Sequence, residues 1–309
     1  MEPHVRDAQH SGARIPFRRP LHHLRHRPPR PAAPAGAAAR PAQRAERQWQ
    51  RERQRRMTKP FSSVLITGAS SGLGAGLARI CAAPGVTLHL SGRDRNRLDA
   101  AAKQCEALGA AVHATPLDVT DSAATARWVT DSDAIRPLDL VIANAGISAG
   151  TGGGGETEAQ TRAIFAVNVN GVFNTVMPAI PLLRQRRRGQ VGIMSSLAGF
   201  RGFAGAPAYC ASKAAIRVWG ESLRAELAPA GIGVSVICPG FVETPMTAVN
   251  RFRMPFLMDV ERASRIMVRG LARNRGRIAF PWPMHLMARL AGCLPSALMD
   301  RIAAGLPRK

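Results

Sequence analysis

Tyr209 and Lys213 stand four residues apart, and with Pro207 just upstream to open a helix they fall on one face of it. A phenol with an ordinary pKa of about 10 is a poor proton-transfer group at neutral pH, and an ammonium beside it favours the phenolate. Tyr209 is also the only tyrosine in the chain. Read singly, it would be a helix-surface aromatic and Lys213 a solvated charge; together they read as acid/base chemistry within reach of one substrate. A second feature is Thr67-Gly68-Ala69-Ser70-Ser71-Gly72-Leu73-Gly74, with the spacing G-x-x-x-G-x-G. Glycines there let backbone come close to a pyrophosphate, while the N-terminus of a following helix offers free N–H groups and a positive dipole end. Alone, the same spacing is also that of an ordinary tight turn.

Elements in a definite order must position these groups. The apolar run Ser63 to Ile66 leads through the glycine turn into the helical pattern Leu77, Ile80, Cys81. The pattern then predicts a strand from Val86 to Ser91, a helix from Asn96 to Leu108, a strand from Ala110 to Thr115 and a helix from Asp121 to Asp133. A strand from Leu138 to Ala143 follows, then a glycine-rich loop from Gly150 to Gly155 and a long helix from about Glu156. Further strands read at Gln190 to Met194, Gly233 to Ile237 and Arg277 to Phe280. Strands alternating with helices imply parallel pairing and right-handed crossovers, hence an α/β, doubly wound, Rossmann-type sheet of about seven strands in a single domain over 57 to 280. Ligands bind such sheets at the carboxyl ends of the strands.

These marks and their order resemble the short-chain dehydrogenase/reductase family in its compact single-domain branch, over about Lys59 to Phe280. The resemblance implies a cofactor turn at 67 to 74, with Thr67, Gly68, Ser70, Ser71, Gly72, Leu73 and Gly74 as its contacts. It implies an adenine contact at Asp118 and Val119, and a sheet-stabilising turn beside the cofactor at Asn144, Ala145 and Gly146. Pro239, Gly240 and Thr244 resemble the segment that closes over the nicotinamide. Asn168 falls on the family's catalytic Asn, and Ser196, thirteen residues before Tyr209, on its catalytic Ser; a shift of one position would give that role to Ser195. Hydride then moves between the nicotinamide and a carbonyl or carbinol carbon. As the resemblance implies, Tyr209 handles the proton, Ser196 holds the substrate oxygen, Lys213 binds the nicotinamide ribose and Asn168 supports a water-mediated relay. The alternative is a cofactor sensor that uses the fold without chemistry, for which Ser196, Tyr209 and Lys213 would be unnecessary.

Cofactor choice is set after the second strand, at Leu90-Ser91-Gly92-Arg93-Asp94. Gly92 stands where NAD-preferring relatives carry Asp, and Arg93 can pair with a 2′-phosphate, so NADP(H) is expected over NAD(H). Asp94 leaves two options open, engaging Arg93 or facing the ribose. Met246, Phe252, Met254, Phe256, Leu257 and Met258 lie, by resemblance, over the substrate cleft and imply a hydrophobic carbonyl or alcohol, though ordinary core contacts would look the same. The helices from Glu156 to Leu183 and Ala208 to Leu227 resemble the family's dimer-forming pair, so a homodimer or homotetramer is expected.

The formal charge of +23 is uneven. Residues 1 to 56 hold 14 Arg, no Lys and 4 acidic residues, against 29 basic and 16 acidic residues from 57 to 309. That arm is rich in Arg, Pro and Ala, so it is expected to be disordered. A start at Met57, an idle tail and an anion-binding or targeting arm all fit it; it lacks the aromatic interleaving of strand binders, so no nucleic-acid partner is expected. The five cysteines show no metal-ligand spacing and read as reduced thiols, with no metal. No uninterrupted apolar run approaches the roughly 20 residues of a membrane span, and the expected compartment is the cytoplasm. Beyond Pro281-Trp282-Pro283, expected to break the chain, Met284 to Leu294 reads as a helix with Leu286, Met287, Leu290 and Leu294 on one stripe, and Ser296 to Ala304 as a second. This tail, 281 to 309, either packs on the domain or makes a peripheral contact with anionic lipid.

Overall fold

Short runs of apolar, β-branched residues become strands, buried on both faces in the middle of the sheet and partly exposed at its edges. β1 (Ser63–Ile66) passes through the glycine turn into α1 (Gly72–Cys81), followed by β2 (Thr87–Gly92), α2 (Arg95–Glu106), β3 (Ala111–Pro116), α3 (Ser122–Ile135) and β4 (Leu140–Ala143). α4 (Glu158–Phe165) runs through a π-helical turn at Ala166–Asn170 into α5 (Gly171–Val176), and α6 (Ala179–Arg186) precedes β5 (Gly189–Met194). Next come α7 (Pro207–Leu227), β6 (Ile232–Pro239), the short α8 (Pro245–Ala248), α9 (Val260–Ala272), β7 (Arg277–Phe280) and α10 (Trp282–Cys293). This computed structural model describes residues 60–148, 155–250 and 253–295. The basic arm, most of the glycine-rich loop, Phe252 and the expected helix from Ser296 to Ala304 lie outside the described residues.

The seven strands form one parallel sheet in the order β3-β2-β1-β4-β5-β6-β7. Its order reverses between β1 and β4, and crossovers leave these strands on opposite faces, which opens a crevice at their carboxyl ends. On one face α1, α2 and α9 bury Leu77, Leu98, Met267 and Leu271 against Val64, Ile66, Leu88 and Leu90. On the other, Trp128 and Val129 of α3 cover Leu65 and Val141, while Val172, Val176, Ile180, Ile216 and Leu223 cover β5. Glu158–Arg186 is long and apolar enough to cross a membrane by length and composition, although polar residues interrupt its apolar run. Here Val172, Val176, Ile180 and Leu183 are core residues. Cys81, Cys105, Cys210 and Cys238 are buried and Cys293 is exposed, and none of the five is in a disulfide.

The chain after β7 differs from the sequence expectation. The two prolines open α10 rather than break the chain, because a first-turn proline gives up no helical hydrogen bond. With the helix starting at Trp282, Met284 and Ala288 turn inward, packing with Leu197, Val236 and Cys238. The stripe of Leu286, Met287 and Leu290 faces out, as does Trp282, which is 74% exposed. The first helix of the tail thus packs on the domain through Met284 and Ala288, not through the stripe expected to do so.

His89 on β2 is the one buried imidazole whose two nitrogens both lack a partner among the described residues. It stacks on the exposed His113 of β3 at 5.2 Å between ring centres. Burial, aided by the neighbouring His113 and opposed by Asp133, pushes its pKa down to about 4. Between the ordinary imidazole pKa and that value the unfolded chain holds a proton that the folded chain refuses, so stability is lost as pH falls through this window. The expected cost is about 3 kcal/mol on passing from pH 6.5 to 4. Urea midpoints should fall across this range, and His89→Leu should flatten the fall; an identical pH slope in the variant would contradict it.

Candidate active site

The crevice at the switch point is a cleft of about 470 Å³ running from the end of β2 to the start of α7. At its centre the turn after β1 meets the turn after β4 almost backbone to backbone. Gly68 is left-handed, and a Cβ on Gly74 would stand 2.1 Å from the Gly68 carbonyl oxygen. Asn144 Nδ2 donates to the Thr67 and Gly68 carbonyl oxygens at 2.9 and 3.1 Å, and Thr67 Oγ1 accepts from the Asn144 and Ala145 amides at 3.0 and 3.1 Å. Ser71, the N-cap of α1, makes no side-chain capping bond, and the first turn holds no acidic residue. Its amides and dipole therefore stay available to an anion. This cradle of glycine backbone and open helix end fits a dinucleotide. Ser70, Ser71, Gly72, Leu73 and Gly74 line it from the turn, and Ala145 and Gly146 from the β4 end.

At the far end of β2, Arg93 lines the cleft together with Gly92, Asp94 and Arg97. Asp94 caps α2 by accepting from the Arg97 amide at 3.0 Å and pairs with the Arg97 guanidinium at 3.2 Å. Asp94 is engaged by Arg97 rather than by Arg93, a partner that the sequence reading missed, while it also lines the cleft. The only prior signal was that the Asp sits three residues before an Arg at a helix start. Asp118 accepts from the Thr120 amide and hydroxyl, and these bonds, against partial burial and with help from Arg93, hold its carboxyl below the usual range. Val119 lies beside it, buried and lining the cleft.

The opposite end holds the hydroxyl pair. Tyr209 lies on the first turn of α7, and Ser196 follows β5 with its hydroxyl hydrogen-bonded to the phenol. Ser195, the other candidate, spends its hydroxyl on the Lys213 carbonyl oxygen at 2.7 Å. Lys213 is buried, its ammonium donating to the Met194 carbonyl oxygen at 2.9 Å and lying 5.8 Å from the centre of the Tyr209 ring. The expected lowering of the phenol by this ammonium is not found. Burial pushes Tyr209 up, the Ser196 hydrogen bond offsets part of that, and the Cys210 thiol adds to the rise. Burial also pushes Lys213 down, to about 8. The cation lies over the ring and bonds to backbone, so it compensates the phenolate poorly.

Asn168 is buried in the π-helical turn. Its Oδ1 accepts from the Ile147 amide at 2.8 Å, and its Nδ2 donates to the Ile147 carbonyl oxygen at 2.9 Å and to Ser212 Oγ at 3.0 Å. Asn168 and Thr67 thus stand behind the cleft wall as braces, whereas Pro239, Gly240 and Thr244 line it. Thr244 and Thr247 cap α8 reciprocally. Of the apolar segment expected over the cleft, Met246 lines it. Met258 instead joins the core, drawn in by its bridge to Val242, and Phe256 and Leu257 are exposed.

The model of the short chain dehydrogenases matches residues 62–253. An uncharacterised oxidoreductase of Myxococcus xanthus is 41% identical over 247 residues, 80% of this chain and 98% of that protein. The chain belongs to the short-chain dehydrogenase family. Solved relatives of this oxidoreductase include a short-chain dehydrogenase of Sphingobium yanoikuyae in complex with NADPH, 27% identical with a TM-score of 0.66 over 79% of this chain and 96% of that one. Another, from Mycobacterium paratuberculosis and bound to NAD, is 25% identical with a TM-score of 0.62 over 70% and 94%.

Proposed function

We propose that this oxidoreductase reduces a hydrophobic carbonyl compound to the alcohol with NADP(H), and that Tyr209 is its proton donor. The observation that carries this reading is the Tyr209 phenol hydrogen-bonded to Ser196 at one end of the cleft whose other end is the glycine cradle. The nicotinamide, when bound, supplies the hydride. Ser196 and Tyr209 hydroxyls converge where a carbonyl oxygen can accept from both. The phenol is protonated at neutral pH and so has a proton to give; the rise that burial imposes weakens it as an acid, and the Ser196 hydrogen bond offsets part of that rise. Lys213, beside the Tyr209 ring and lining the cleft, is the residue that would hold the nicotinamide ribose. Asn168 braces Ile147 and, through Ser212, α7. A cofactor sensor would need none of these groups, and its fold-only reading has no observation of its own here.

For the cofactor, Arg93 and Arg97 beside Gly92 favour a 2′-phosphate, and Asp94 is taken up by capping α2. Met246 supports an apolar substrate. Exposed Phe165, Met177 and Val218, on or beside α4, α5 and α7, support a homo-oligomer built on these helices. The decisive experiment follows NADPH oxidation against aliphatic, aromatic, steroid and sugar carbonyls. Turnover of at least one apolar carbonyl is expected, with kcat/KM about tenfold higher for NADPH than NADH. NADPH binding without turnover of any class would favour the sensor, and preference for NADH would overturn the cofactor assignment.

A second reading concerns location and rests on α10. Its outward Trp282, Leu286, Met287 and Leu290, with Arg289 among them and no acidic residue in the helix, form a face suited to an anionic lipid surface. The chain is expected to float with anionic vesicles at low salt, and Leu286→Ser with Leu290→Ser to abolish this without loss of fold. Failure of the intact chain to float would end this reading.

A further inference from the structure

The helix that carries Tyr209 lacks a cap of its own. Its N-cap residue, Ala206, has no side-chain oxygen, its first turn has no acidic residue, and Pro207 contributes no N–H. The missing acceptor comes from 52 residues away: Glu156 Oε2 accepts from the Ala208 amide at 2.5 Å, one residue before Tyr209. The other carboxylate oxygen, Oε1, is buried without a hydrogen-bond partner. A carboxylate would be expected to stay in water unless the site rewards it, and here the reward is the positive end of α7.

The position of Glu156 in the chain gives this contact a second consequence. It directly follows the glycine-rich stretch 150–155 and precedes Thr157, whose capping box with Gln160 fixes the start of α4. Upstream of that stretch, Ile147 is held by both polar atoms of the Asn168 side chain, and Asn168 in turn bonds Ser212 of α7. Ile147 and Glu156 are thus each tied to α7, the first by Asn168 through Ser212 and the second at the first turn.

We propose that Glu156 is a positioning residue for Tyr209: by capping α7 from across the chain, it fixes the first helical turn, and with it the phenol against Ser196. This rests on the role given to Tyr209 above. Geometry and charge are separable in this contact. Glutamine retains an acceptor oxygen and removes the charge; alanine removes both. The charge also opposes the helix dipole next to the phenol, whose other ionisable neighbours are Lys213 and Cys210 on its own helix, with the Ser196 hydroxyl facing it. Removing it should favour the phenolate.

Two measurements on the full chain test this. In steady-state assays Glu156→Ala should lower kcat about fivefold or more while NADPH affinity stays within about twofold, and Glu156→Gln should restore kcat. Because Tyr209 is the only tyrosine, near-ultraviolet phenolate absorbance titrates it alone, with no substrate or cofactor present. Both variants should ionise at lower pH than the parent chain. Should Glu156→Ala not fold, Glu156→Asp, too short to reach Ala208, takes its place in the kinetic comparison. An unchanged kcat and unmoved titration would overturn the proposal. So would parallel losses of kcat, NADPH affinity and melting temperature, the pattern of a purely structural residue. If no carbonyl is turned over, the reading of function fails, and the phenolate titration still decides on Glu156.

Discussion

The close approach of the turns after β1 and β4 is the contact on which the rest of the site depends. Backbone of Gly68 and side chain of Asn144 lie so near Gly74 that no side chain fits there. The hydrogen bonds between Thr67, Asn144 and Ala145 hold the two strand ends in register. This joint falls where the strand order reverses, so it both closes the centre of the sheet and opens the cleft. It also leaves the N-terminus of α1 aimed into open space with its amides unspent. A nucleotide site follows from packing geometry, before any charged side chain is considered.

At the catalytic end, burial works against both ionisable groups. It raises the Tyr209 phenol and lowers the Lys213 ammonium to about 8, so each is drawn towards its neutral form. The structure offsets this with hydrogen bonds rather than with an ion pair: Ser196 to the phenol, and the Met194 carbonyl to the ammonium. Ser195, adjacent to the useful hydroxyl, is spent on locking the loop to α7 through Lys213. Two consecutive serines, both lining the cleft, thus divide the labour, one hydroxyl bonded to the phenol and the other to the backbone of α7.

Much of this was legible in the sequence because the signals are local. Strands such as β1 and β7 keep the bounds read from the sequence, whereas β2 and β6 run on to Gly92 and Pro239 and β4 begins only at Leu140. The four-residue spacing of Tyr209 and Lys213 survives because both lie on one uninterrupted helix. What was not legible depends on the third dimension. Nothing in the spacing distinguishes a π-helical turn at Ala166–Asn170 from regular helix, yet that turn buries Asn168 behind the cleft. The direction of Met258 is decided by a bridge to Val242, and that of Leu286 and Leu290 by where a proline starts α10. Glu156 carries no local mark of its role, since its partner Ala208 is 52 residues away.

Placing Tyr209 at the proton step rests on a hydroxyl oxygen that phenylalanine lacks and on a ring that phenylalanine keeps. Tyr209→Phe therefore isolates the proton donor from the packing around it, and NADPH affinity measured beside turnover separates chemistry from binding. The expected result is a kcat reduced at least about 100-fold, the usual contribution of a general acid, with NADPH affinity within about twofold. A variant turning over within a few-fold of the parent chain would contradict it.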